Sequence, residues 1–540
     1  MRDSWRLSMG WLHTWGGMIT GWLLCAIFLT GTLSVFREPI TRWMQAMPAL
    51  TSALPSEQPT SPGAAAQMGV DDLAVQAPKA RFWRIELPAR PDEALRLFWR
   101  AGAGAGAGSG ERQGGERQRA IDPSTGAVLP TPWGRETQGG RFFMTFHYSL
   151  QWGLTGFWIV GVVSMGMLVA LVSGVIVHKR IFSDFFTFRP NKGQRSWLDA
   201  HNLFGVLTLP FLFMITLTGL WIFYSSFMPL PLRAAYGGDE QAFERLEHGL
   251  SSAAPAPRRK MSGTRAPLPA MAPLMDKARA LLRGEVRMFV IERPGDASMM
   301  VRFFGRAGDD SDTGRILNQP GMVAFDGVSG AVLQLQRPDP VRESAGQATH
   351  RVVEHLHFAR FGGWTMRWLY FMSGLAGTAL MATGTILYLV KRRQKAGGEF
   401  GSATAAVYRG IDAINTASIS GTALACMGYL YGNRLLPSAL DGRAGWEIGC
   451  FFMVWLAALL HAALRPSAAA WIEQLALGAL LCAGLPLLNA LTTGQHLGRY
   501  IAGDDWHSAG VELTAIGFGA LLATAAFKLH RKRRGWGHKA

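Results

Sequence analysis

Apolar residues gather into eight runs, at about 12–36, 154–178, 203–228, 366–390, 411–432, 446–464, 471–491 and 508–528. Each is about as long as an α-helix must be to cross a hydrocarbon layer of roughly 30 Å. The pattern predicts an α-helical polytopic membrane protein with about eight transmembrane helices. Two longer stretches between the runs, 37–141 and about 230–349, are polar enough to be soluble. In the first, Ala49–Gln67 reads as a Pro/Ala-rich linker, and Arg81–Leu87 and Ala94–Trp99 as strands. Ile121–Leu129 reads as strand, turn, strand, because Asp122-Pro123 starts a turn and Gly126 supplies a positive φ. The Ala101–Gly110 run lacks GxGxxG and reads as a flexible hairpin excursion rather than a phosphate loop. In the second, a Pro-rich linker at Ala253–Pro273 leads to a short amphipathic helix at Leu274–Leu282. Strands follow at Val286–Glu292, Met299–Phe304 and Met322–Leu335.

The runs repeat. Leu12-His13 through Thr30-Gly31 to Phe36 returns as Ala200-His201 through Thr218-Gly219 to Tyr224, at a constant offset (201 − 13 = 188). The second and fourth runs match at another (357 − 147 = 210). That offset pairs His147 with His357, Gly153 with Gly363, Trp158 with Trp368, and Ser173-Gly174 with Thr383-Gly384. His178 meets Tyr388, so that position is not repeated. The polar blocks echo each other as well: Asp122 through Leu129 returns as Asp326 through Leu333, an offset of 204. About 390 residues are therefore two copies of one unit, a span, an external α+β block and a span. Membrane proteins often build a site between such halves. The last four runs carry no copy of the histidine pattern.

Of the 540 residues, 49% are hydrophobic and only 17% charged, and the net charge is +17. The basic residues are not spread as a nucleic-acid surface. They cluster at Lys179–Arg195, at Lys391–Lys395 and at Arg531–Arg534. With the N-terminus inside, all three clusters fall on the cytoplasmic side of an eight-span topology, as the positive-inside rule requires. Both termini are then cytoplasmic, and no nucleic-acid partner is expected. Cys25, Cys426, Cys450 and Cys482 lie in apolar runs with no CxxC or CxxCH. That argues against a disulfide framework, an ordinary iron–sulfur site and covalently attached haem. The first run is too long for a signal-peptide core and is expected to be retained.

Ionisable groups in or beside membrane spans are rare and usually functional. A single histidine at a helix end ordinarily sits in the interface and bonds water. His13 with His201, and His147 with His357, differ because each recurs in register at matching helix ends. Each pair offers one metal two imidazoles, and the two pairs fall on opposite sides of the membrane. A bare zinc or manganese ion would ask for further protein ligands. Haem brings four nitrogens of its own and needs only axial ligands. Gly16, Gly17, Gly153, Gly205, Gly362 and Gly363 would let a flat macrocycle approach, and Trp15, Trp152, Phe204 and Phe361 would pack on it. His178 is either a lipid head-group contact or a second cytoplasmic-side ligand. His350 and His355 read as solvated loop, and His461, His496 and His507 as structural. The Thr30-Gly31 and Thr218-Gly219 pairs read as sites of close helix packing.

On these motifs, Leu12-His13 through Gly31, His147 through Arg180, Asp199-Ala200-His201-Asn202 through Gly219, and Leu356-His357 through Arg393, residues 1–395 resemble the PepSY-associated transmembrane family. The external blocks look like PepSY domains. The resemblance implies spans at 1–36, 142–180, 181–228 (with a cytoplasmic loop) and 350–393. It implies periplasmic PepSY-like domains at 37–141 and 229–349, and 394–540 is then a four-helix membrane extension. It also implies an inner-membrane ferric-siderophore reductase with two haem b groups, whose iron would be held by His13, His201, His147 and His357, with His178 in reserve. Ferric siderophore is then the substrate, and the electron donor a quinol or a cytoplasmic reductase, since the chain has no dinucleotide or flavin motif. Two rival readings come from other classes: a membrane-anchored PepSY regulator or binding module, and an iron–siderophore transporter.

Overall fold

The computed structural model describes the chain except residues 1, 49, 51–60, 91–92, 102–115, 179–187, 191, 228, 238–258, 306–320, 338–344, 396–398 and 538–540. The expected hairpin excursion lies outside the described residues but for Ala101, as do Lys179, Arg180 and parts of both Pro-rich linkers. In chain order the main helices are α1 (Arg2–Ser34), α2 (Arg37–Gln45), α3 (Pro62–Gln76), α4 (Arg141–Ser149), α5 (Gly153–Val177), α6 (Gln194–Ile222), α7 (Met271–Leu282), α8 (Ala345–Phe358) and α9 (Gly363–Lys395). The last four long rods are α10 (Thr404–Thr416, Ala417–Gly421 and Thr422–Leu435 in succession), α11 (Arg443–Leu464), α12 (Ser467–Thr493) and α13 (Trp506–Gly537). The strands are β1 (Ala80–Glu86), β2 (Leu95–Ala101), β3 (Glu116–Ile121), β4 (Val286–Glu292), β5 (Met300–Gly305), β6 (Met322–Asp326) and β7 (Val332–Gln336).

Seven of these helices, α1, α5, α6, α9, α11, α12 and α13, are long and apolar enough to cross a membrane. The expected eighth, near 411–432, is helical throughout but passes through a π turn at Ala417–Gly421. Its middle is rich in small polar residues. Thr416 and Ser420 donate their hydroxyls back to Asp412 O (2.8 Å) and Thr416 O (2.9 Å), which competes with the regular ladder. The first span also differs from expectation. The apolar run starts near residue 12, yet helix begins at Arg2, so His13 sits about three turns inside α1 rather than at a helix end. His147 and His357 stand on short separate helices, α4 and α8, ahead of the spans. The chain then turns through left-handed backbone, Leu150, Gln151 and Gly153 in one copy, Ala359, Gly362 and Gly363 in the other. The matched glycines have φ +54° and +58°, which a glycine adopts at little cost.

The fold divides into two compact units. One holds Met1–Ala46, Arg135–Trp221 and Arg367–Ala540; the other holds Met47–Gly134 and Ile222–Met366. In the second unit the two polar blocks share one seven-stranded sheet, in the order β3-β2-β1-β4-β5-β6-β7. β1 and β4 pair antiparallel about Arg84↔Val290, with Phe82↔Glu292 and Glu86↔Met288 at equal distances either side. Each block alone would leave that strand as an open edge, and the pairing removes both edges. The two strands have the same burial pattern, with Trp83 and Ile85 answering Phe289 and Ile291 in one core. Helices α3 and α7 cover that core, and a Cβ on Gly63 would come within 3.1 Å of the Ala272 backbone. The linker expected to reach Gln67 stops earlier, because Ser61 caps α3 by accepting from Ala64 N (3.2 Å) and Pro62 suits the first helical turn.

Candidate functional site

His13 and His201 are brought together, with ring centroids 6.3 Å apart and planes inclined by 65°. Their surroundings repeat as closely as their sequence. His13 Nδ1 lies 2.9 Å from Ala170 O, and His201 Nδ1 lies 3.2 Å from Leu380 O. The two carbonyls differ by the same 210 that relates α5 to α9. Ser173 Oγ is 3.4 Å from the first Nδ1 and Thr383 Oγ1 is 3.4 Å from the second. A carbonyl only accepts, so Nδ1 of each ring carries the proton and Nε2 keeps its lone pair. This is the arrangement by which an outer partner fixes the tautomer of a ligating histidine.

Two glycines missed as site residues shape the pocket. A Cβ on Gly174 would stand 3.0 Å from His13 Cε1, and one on Gly384 would stand 3.0 Å from His201 Cε1. The Ser-Gly and Thr-Gly repeat in the spans was the signal for them. Of the glycines named from the sequence, a Cβ on Gly16, Gly17 or Gly153 would meet nothing within 4 Å.

Both imidazoles line a cavity of about 830 Å³ among α1, α5, α6 and α9. That lies within the roughly 300–1,000 Å³ usual for cofactor sites. The inner wall is apolar, including Leu24, Met167 and Leu171, and the rim carries Arg6, His178, Lys391 and Arg392. Tyr388, at the position where the histidine repeat lapses, packs edge-on to Trp15 at 5.7 Å.

The residues suit a macrocyclic iron. A metal–nitrogen bond of about 2 Å plus about 1.1 Å from ring nitrogen to ring centre, doubled, gives about 6.2 Å between two imidazoles on one metal. The observed separation is 6.3 Å. Among the described residues no group of three His, Cys, Asp or Glu is disposed to hold a metal.

His147 is set in the same way at another place. Its Nδ1 is 2.8 Å from Ile27 O, and its ring lies so close to α1 that a Cβ on Gly31 would fall 2.5 Å from Nδ1. The Thr30-Gly31 packing read from the sequence is packing onto this ring. Neighbouring Phe142, Phe143 and Phe146 of α4 are buried against Tyr429 and Phe451 of α10 and α11. His357, on α8, belongs to the other unit, where its ring packs edge-on to Phe358 at 5.4 Å. His350 and His355 are helical rather than loop, and His355 is buried. His461 contacts Glu473 (2.8 Å), and His496 caps the short helix Leu497–Ala502.

The description "PepSY-associated TM region" matches residues 10–391. The chain belongs to the PepSY-associated TM family. It is also 28% identical, over 401 residues, to a Pseudomonas aeruginosa protein described as uncharacterized; the match covers 71% of this chain and 93% of that one. The family region contains His13, His147, His178, His201 and His357, both glycines that touch the imidazoles, and both polar blocks. It stops at the rim lysine, Lys391, and α10–α13 lie beyond it.

In that extension the outstanding feature is a buried polar network. Arg434 donates from Nε to Asn489 Oδ1 (2.7 Å) and from Nη2 to Trp43 O (2.5 Å), with its guanidinium 3.7 Å from the Trp43 ring centre. Asn489 Nδ2 and Trp43 Nε1 donate to Glu512 Oε1 at 2.7 and 3.2 Å. Glu447 is held by Arg443, by Asn433 (2.6 Å) and by Thr137 (2.5 Å). These bonds fasten α10–α13 to α2 and to the segment entering α4.

Proposed function

We propose that this is a di-haem b-type electron-transfer protein of the bacterial inner membrane that reduces ferric siderophore in the periplasm. The observation that carries the reading is the His13/His201 pair, 6.3 Å apart, each with Nδ1 held by an equivalent carbonyl. His13 and His201 would be the axial ligands on the cytoplasmic side. His147, oriented by Ile27 O, would serve as a ligand on the periplasmic side, and the sequence repeat names His357 as its counterpart. Bound there, the two haems would supply one-electron redox chemistry at both ends of the bundle. On this reading His178, which lines the same cavity, would not be one of the ligands.

The overall change is one electron taken up by Fe³⁺ in its chelate, giving Fe²⁺, which siderophore ligands hold weakly. The electron would come from a quinol or a cytoplasmic reductase. The basic segments, with Arg6, Lys391 and Arg392 at the His13 end, favour that end as cytoplasmic, with both termini inside. Purified protein made with adequate haem supply should be red and show two b-type components in a reduced-minus-oxidised spectrum. A colourless protein would overturn this reading in favour of a PepSY regulator or a transporter.

A further inference from the structure

Resting on the reading of the His13/His201 cavity as a haem site, we propose that Arg6 and Lys391, with Arg392, form a seat for the carboxylates of the macrocycle. The seat would fix which edge of the haem faces the membrane surface. Among the described residues these three are the only lysines and arginines on the cavity wall, and no described Asp or Glu lines it. All lie toward one end. Arg6 precedes His13 by seven residues, about 10 Å along α1, and Lys391 follows Gly384 by seven along α9. Arg6 Nη2 donates to Val177 O (3.2 Å), which ties the start of α1 to the end of α5. Its Nε is buried with no partner among the described residues.

Arg392 lies over Trp15 at 5.3 Å and Tyr388 at 5.7 Å and shares its charge with Glu399 at 2.7 Å. With Arg392 engaged by Glu399, Arg6 and Lys391 are the other two cations of the described wall. A b-type haem carries two propionates, one for each of them. Charge-assisted bonds to carboxylates are the strong ones, and an arginine or lysine beside a cavity suits them. The same oxyanion chemistry would serve phospholipid phosphate at a membrane interface. The cavity favours the cofactor, because the cations open onto the space that holds both imidazoles.

The test uses full-length protein produced under haem limitation and titrated in detergent with iron protoporphyrin IX or its dimethyl ester, which lacks the carboxylate charges. Soret absorbance reports binding at the component that His13→Ala removes. Wild type should bind the free acid about tenfold more tightly than the ester. The double variant Arg6→Gln/Lys391→Gln, which keeps only Arg392, should lose most of that preference, with ester affinity unchanged, which also shows that the site is folded. Arg6→Lys should keep part of the preference. A wild type without preference, or a double variant that retains it, would overturn the seat. Retained preference with loss of co-purified anionic phospholipid would assign the cations to lipid instead. If His13→Ala removes no Soret component, the haem reading itself fails, whatever the cations do.

Discussion

At the scale of single residues, the account depends on how each imidazole is held. Gly174 and Gly384 admit the two rings, and an added methyl would meet each ring at 3.0 Å. Gly174→Ala and Gly384→Ala should each weaken the same spectral component, with overpacking costing about 1–3 kcal/mol of stability. Gly31→Ala should act on the other component, because its methyl would fall on His147. Difference spectra of the three variants check the assignment. Titration is best followed at Asp326, outside the spans. Burial works to raise its carboxyl, but the Ser329 and Val328 amides and Arg259 outweigh it and hold the pKa at about 2. A depressed folded pKa stabilises above the unfolded value, near 4, and the benefit is lost as pH falls toward 2. Thermal melts should therefore show wild type more stable than Asp326→Asn at pH 6, with the difference shrinking between about pH 4 and pH 2.

At the scale of elements, the spans and most strands are legible in the sequence because their periods are local. Val286–Glu292 is a strand with the bounds expected of it. The π turn in α10 is not legible, since it comes from hydroxyls competing with the helix ladder rather than from any change of hydropathy. The β1–β4 pairing is hidden too, because it joins segments some two hundred residues apart. The histidine register is legible because a repeat puts two copies of one environment into the sequence. What it does not reveal is which atoms touch: Ala170 O, Leu380 O and the two glycines emerge only when α5 and α9 lie against the histidine helices. The last helices gave no motif, and their role rests on buried polar contacts. Arg434 is almost fully buried and bonded to two backbone carbonyls of α2. Arg434→Ala would take this donor from those carbonyls and leave Asn489 Oδ1 with Thr493 alone, and should cost roughly 3–5 kcal/mol. A lowered melting temperature with loss of the His147 component before the His13/His201 component would show that the extension supports α4.

At the scale of the whole molecule, duplication accounts for most of the architecture. One copy of the unit supplies a single imidazole on α1 and an open strand edge on β1. Two copies supply a pair of imidazoles and one continuous seven-stranded sheet. The extension α10–α13 follows no such rule and attaches by specific polar contacts. The claim on which everything else rests is that His13 and His201 bind one iron together. Electron paramagnetic resonance of the oxidised, purified protein tests it most directly, read beside haem content per chain. Wild type should contain two haems with low-spin bis-histidine signals, and His13→Ala and His201→Ala should each abolish the same signal and leave the other intact. Two variants that remove different signals, or none, would contradict it.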